Sequence, residues 1–169
     1  MRSASGMGAG GRQDKGLLMA GRRRERDFLR YVLQVPHLAE KVPEEVLGDA
    51  SPESLALSYV VAAIGEHGVA NTAELVELLR EGPHDGVLAE FLAEIMNSPM
   101  PEADVEVDFG LALVHVEEER LAAQIAALME KDRGGEGSSG LSGEDRGRLV
   151  QLLQEQRKLK EIRASKPRL

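Results

Sequence analysis

At 169 residues the chain has room for one ordinary domain, or for a domain with a small appendage. Hydrophobic residues at 42% and charged residues at 30% suit a globular protein rather than a disordered one. With no cysteine, disulfides, thiolate metal sites and thiol nucleophiles are excluded, and no apolar run approaches the ~20 residues that a membrane-spanning helix needs.

The net charge of −8 hides an asymmetry. Residues 1–30 carry +5, residues 31–130 carry −17 and residues 131–169 carry +4. An acidic body repels a phosphate backbone, so no strong direct binding of nucleic acid is expected. The basic ends read as solvated termini that are free to touch nucleic acid or an acidic protein tail. Residues 1–21 hold six glycines and two serines and lack the apolar core of a secretory signal. They read as a flexible segment.

Helix signals then follow one another. In residues 24–34, Phe28, Leu29, Tyr31, Val32 and Leu33 form a broad apolar stripe. Val35-Pro36 interrupts it, because a residue before proline disfavours the α region. A short segment, HLAEKV, stops before Pro43. Ser51-Pro52-Glu53 has the pattern of an N-cap and first turn, with Leu55, Leu57, Tyr59, Val60, Val61 and Ile64 as the stripe and Gly68 just past the end. Asn71 with Glu74 resembles a capping box for a helix over 72–80. Asp85 caps the next helix, where Val87, Leu88, Phe91, Leu92, Ile95 and Met96 recur at steps of 3 and 4. In Asp104–Phe109 acidic and apolar residues alternate with period 2, which predicts an extended lead-in over 104–108.

The last third carries a different pattern. Leu111, Val114, Leu121, Ile125 and Leu128 form a heptad-like seam that Glu118 breaks. A glycine- and serine-rich loop at 134–140 follows, and Ser142 with Asp145 starts a helix whose seam is Leu149, Leu152, Gln156 and Leu159. Two such helices across a loop predict an antiparallel hairpin. The fold expected is all-α: a flexible segment at 1–21, a helical bundle at 22–110, a long helix with a C-terminal helical hairpin at 111–164, and a basic tail at 165–169.

Catalytic patterns are missing. Asp104, Glu106 and Asp108 would share a face on an extended segment, but no phosphate loop and no lysine accompany them, so they read as a solvated acidic face. His37, His67, His84 and His115 lie singly in different segments, without the spacing of a zinc site, and read as surface histidines. Phe28, Tyr31, Tyr59, Phe91 and Phe109 sit at core-like spacing and make no stacking platform. No catalytic residue, metal site or cofactor is expected.

The order of parts is nonetheless specific. ERDFLRYVLQVPHLAEKVPEEV, from Glu25 to Val46, contains Gln34, Pro36, Leu38 and Ala39 in a Gln-x-Pro-x-Leu-Ala arrangement. EEER at 117–120 and GLSGEDR at 140–146, leading into LVQLLQEQRKLK, complete the series. Together they resemble the C-terminal domain of bacterial DnaG-type DNA primases over about residues 24–164. The resemblance implies a non-catalytic, cytoplasmic module docking on the N-terminal collar of the hexameric replicative helicase and coupling primer synthesis to unwinding. It also implies that zinc-binding and polymerase domains lie outside this chain. A helicase collar-type domain or another helical replication adaptor is the alternative.

In the last helix, Val150 and Leu153 lie on a second apolar face that the partner helix of a hairpin does not cover. The residues expected to carry the helicase contact are Leu149, Val150, Leu152, Leu153, Gln156, Arg157 and Lys160. The resemblance further points to Arg26 and Arg30 as a small contact for the acidic tail of single-stranded DNA-binding protein.

Overall fold

The structure is a computed structural model that describes residues 11–48, 50–80, 86–133 and 141–165. Among these residues every regular element is helical. They are α1 (Gly11–Gln34), the 3-10 helix η1 (Pro36–Lys41), α2 (Glu44–Leu47), α3 (Pro52–His67), α4 (Thr72–Arg80), α5 (Gly86–Asn97), α6 (Glu102–Arg133) and α7 (Gly143–Ser165). The all-α expectation holds. The chain divides into two compact units, Met1–Phe109 and Gly110–Leu169.

In the first unit α1 is the central element, packed by η1, α2, α3, α4 and α5. Phe28, Leu29, Val32 and Leu33 of α1 are all but inaccessible to solvent, as the predicted stripe requires. The helix begins at Gly11, inside the segment expected to be flexible. Leu17, Leu18, Met19 and Ala20 are good helix formers, and single glycines at 16 and 21 weaken such a run without ending it. Residues 1–10 lie outside the described residues.

The ends of these helices follow local chemistry. Pro36 ends α1, and the next segment tightens to i→i+3 bonding, with the Leu38 amide donating to the Val35 carbonyl at 3.0 Å and that of Val42 to Ala39 at 3.2 Å. Ser51 caps α3 by accepting the Ser54 amide at 3.1 Å, and Gly68 closes it at φ 61°, a left-handed conformation that suits glycine. Asn71 caps α4 by accepting the Glu74 amide at 3.0 Å. The Glu74 carboxylate accepts in turn from the Asn71 side chain at 2.8 Å and from the Ala70 amide at 2.9 Å. The predicted Asp85 cap lies outside the described residues.

Two further expectations need correction. On α3 the buried face is Ala56, Leu57, Val60, Ala63 and Ile64, while Leu55 and Tyr59 point outward. Apolar residues occupy both sides of that helix, and the alanines let it pack closely, so hydrophobicity alone does not select the inner face. The stretch 104–108 is helical rather than extended. The amides of Asp104 and Val105 donate to the Pro101 carbonyl at 3.0 and 3.1 Å, and the buried pair Val105 and Phe109 is four residues apart. Val107, which an alternating strand would bury beside Val105 and Phe109, is 42% exposed. Glu102 and Asp104 sit in the first turn of α6, where the helix dipole favours negative charge.

Phe109 completes the core of the first unit. Its ring meets Phe28 edge-on at 5.4 Å and Tyr31 at 6.2 Å, contacts worth about 0.5–1.5 kcal/mol each beyond burial. Gln34 ties α1 to α4 and to the connection between α5 and α6. Its side-chain oxygen accepts the Met100 amide at 2.7 Å, and its carbonyl accepts the Thr72 hydroxyl at 2.6 Å. With Pro36, Leu38 and Ala39 buried behind it, the Gln-x-Pro-x-Leu-Ala arrangement is an architectural element.

Candidate functional site

The second unit is a hairpin made by α7 and the part of α6 that follows Phe109. Ser142 starts α7, its hydroxyl accepting the Asp145 amide at 3.1 Å and its carbonyl accepting that of Arg146 at 3.0 Å. Acidic residues in the first turn and Arg163 in the last complement the helix dipole. Leu121, Ile125 and Leu152 are buried together, with Leu128, Leu149 and Leu159 packed against them. The predicted seam is therefore present along α7 and from Leu121 onward on α6, while Leu111 and Val114, only half-buried, lie outside this cluster.

Ion pairs at the two ends establish the antiparallel sense. Lys131 donates to Asp145 at 2.6 Å, and Arg163 donates to Glu118 at 3.1 Å. The hydrogen bond from Lys131, seconded by one from Ser142, holds the Asp145 carboxyl below the usual carboxylate range. Glu118, the residue that breaks the seam, is only 14% exposed and meets Arg163 at 3.1 Å and His115 at 3.8 Å. The glycine-rich loop at 134–140 lies outside the described residues.

The seven residues singled out on α7 separate into two groups. Leu152 is buried, Leu149 packs beside it, and Gln156 is half-buried along the same side. These are spent on the hairpin itself. Val150 and Leu153 are 55% and 46% exposed, and Arg157 and Lys160 are exposed beside them. The spacing 150, 153, 157 puts this second group along one line of the helix surface. Arg146, exposed and four residues before Val150, extends that line. Its place becomes visible only once Val150 is known to be open. Arg157 donates to Glu161 at 3.3 Å, a pair too exposed to hold either side chain firmly.

In the first unit, Arg26 lies 3.8 Å from Glu90 and 5.0 Å above the Phe91 ring, and Arg30 lies 3.6 Å from Glu94. Two residues of α1 thus match two of α5, each pair spaced by four. On the helix Asp104 and Asp108 fall on one side and Glu106 on another, so the three acids do not converge. Glu106 instead meets His37 of η1 at 3.1 Å.

A hairpin that buries one side of a helix and leaves an apolar, cation-flanked line on the other is the form of a partner-binding module. A family model described as DNA primase DnaG DnaB-binding matches residues 25–152, and the chain belongs to that family. It is thereby a module of the kind that binds the DnaB helicase, and the family is defined by that contact rather than by a reaction. Among solved structures, the DnaG primase C-terminal domain from Vibrio cholerae is similar to it at 26% identity, covering 77% of this chain and 96% of that one, with a TM-score of 0.46. No curated protein matches the chain. Among the described residues no helix is long and apolar enough to cross a membrane.

Proposed function

We propose that this chain docks on the N-terminal collar of the hexameric replicative helicase through the exposed line of α7, and so couples primer synthesis to unwinding in the bacterial cytoplasm. Val150 and Leu153 are the anchors, and Arg146, Arg157 and Lys160 steer an acidic partner surface toward them. Residues 111–164 act as the docking arm and residues 22–110 as a self-satisfied bundle. The single observation that carries the reading is the exposure of Val150 and Leu153 on a helix whose other side is already buried in the hairpin. Primer synthesis itself belongs to other domains of a primase. The test is calorimetric titration of the chain into the N-terminal domain of a DnaB-type helicase, where saturable binding is expected and none would reject the reading.

A second, smaller contact is proposed at Arg26 and Arg30 for the acidic tail of single-stranded DNA-binding protein. Their present partners, Glu90 and Glu94, are 70% and 43% exposed, so an incoming carboxylate displaces pairs that are each worth about 0–1 kcal/mol. The charge-reversing pair Arg26→Glu with Arg30→Glu is expected to weaken binding of a tail peptide at low salt. Unchanged binding would remove this contact.

A further inference from the structure

We propose that His37, Glu102 and Glu106 form a binding site for one divalent transition-metal ion, Zn²⁺ above all, that pins η1 to the first turns of α6. The imidazole and the two carboxylates each offer one ligand atom, and these atoms all lie within 4.8 Å of one another. Nε2 of His37 is already 3.1 Å from Oε1 of Glu106. A tetrahedral zinc with bonds of roughly 2.0–2.1 Å sets its ligand atoms about 3.3 Å apart, so two of the three stand at ligand spacing before any ion arrives. Glu102 and Glu106 are four residues apart on one helix and project from the same side.

The backbone beneath two of the three ligands is held by buried neighbours. His37 sits between Pro36 and Leu38, both buried, and Glu106 follows Val105, which is fully inaccessible. A site carried on fixed elements needs only side-chain rotation to close on an ion. Two carboxylates with a neutral imidazole balance the charge of a dication. The imidazole also selects the class of ion, since Mg²⁺ and Ca²⁺ favour all-oxygen shells while Zn²⁺ and its neighbours take nitrogen readily. All three residues are exposed, which leaves the remaining coordination positions to water.

The experiment is titration of the metal-free full chain with Zn²⁺ against a chromophoric chelator, followed by histidine ring ¹⁵N spectra. One equivalent is expected to bind, with Nε2 of His37 shifting while His67 and His115 stay in place. Loss of an outer-shell partner of a metal site typically costs 10–100-fold in affinity, so loss of a direct ligand in His37→Ala or Glu106→Gln should cost at least about tenfold. Zn²⁺ should raise the thermal midpoint of the wild-type chain, because it binds the folded form, and leave that of His37→Ala unmoved. Far-UV circular dichroism establishes that both variants fold. Wild-type affinity in both variants, zinc shifts at His67 or His115 in place of His37, or equal competition by Mg²⁺ would each overturn the site.

Discussion

Ser51 donates its hydroxyl to the carboxylate of Glu25 at 2.9 Å while accepting the Ser54 amide at 3.1 Å, so one side chain both caps α3 and partners a fully buried acid on α1. Among the described residues Oε1 of Glu25 has no hydrogen-bond partner, and Ser51 is the donor to the other oxygen. Ser51→Ala is therefore expected to cost roughly 2–4 kcal/mol, combining about 1 for the cap with the penalty of a buried acceptor left unmet. Aspartate is as good a cap as serine on helix statistics, yet Ser51→Asp places a second carboxylate against Glu25 and should be worse than alanine. Urea denaturation of the two variants checks the order; Ser51→Asp at wild-type stability would contradict the contact.

Glu118 and Arg163 make a different prediction because the seam around Glu118 is apolar. Removing Arg163 leaves a carboxylate that is only 14% exposed with His115, at 3.8 Å, as its neighbour, so Arg163→Ala should loosen the hairpin by about 1 kcal/mol. Glu118→Leu instead continues the Leu121 and Ile125 row and should be neutral or stabilising. Native-state hydrogen exchange of α6 and α7 reads both. Greater loss of protection in Glu118→Leu than in Arg163→Ala would show that the ion pair, not the seam, holds this end.

Tyr31 supplies a pH dependence. Burial, then the nearby Asp27 and Asp108 carboxylates, push its phenol up from 10.0 to about 12. The folded state thus keeps a proton that the unfolded state gives up. Its stabilising contribution is complete below pH 10 and is lost as the pH rises through about 12. With Tyr59→Phe, a single tyrosine remains, and phenolate absorbance should appear only well above pH 10. A midpoint at 10 would place Tyr31 in solvent.

Several of these features were legible in the sequence because they are local. Ser51, Asn71 and Ser142 cap helices through atoms three residues away, and Leu149, Leu152 and Leu159 announce their seam by spacing alone. The open face at Val150 and Leu153 was legible for the same reason, since a hairpin covers only one side of a helix. Long-range pairs had no such signature. His37 and Glu106 are 69 positions apart, and Glu25 and Ser51 are 26 apart, so only the packing of α1 against its neighbours brings them together. Period-2 alternation over 104–108 misled because five residues are too few to separate strand from helix when Val105 and Phe109 also fit i, i+4.

Val150 and Leu153 stand outside the hairpin core while Leu152 stands within it. Interface anchors of this type cost about 1–3 kcal/mol when truncated or charged, and every 1.4 kcal/mol is tenfold in affinity. Charging Val150 and Leu153 leaves the buried seam intact, so helicity should be preserved, whereas Leu152→Asp would damage the hairpin itself. The most direct measurement is calorimetric titration of the Val150→Asp, Leu153→Asp double variant into the N-terminal domain of a DnaB-type helicase, beside the wild-type chain. The expected result is at least a tenfold loss of affinity with an unchanged far-UV spectrum; wild-type affinity in the double variant would contradict the assignment of this face.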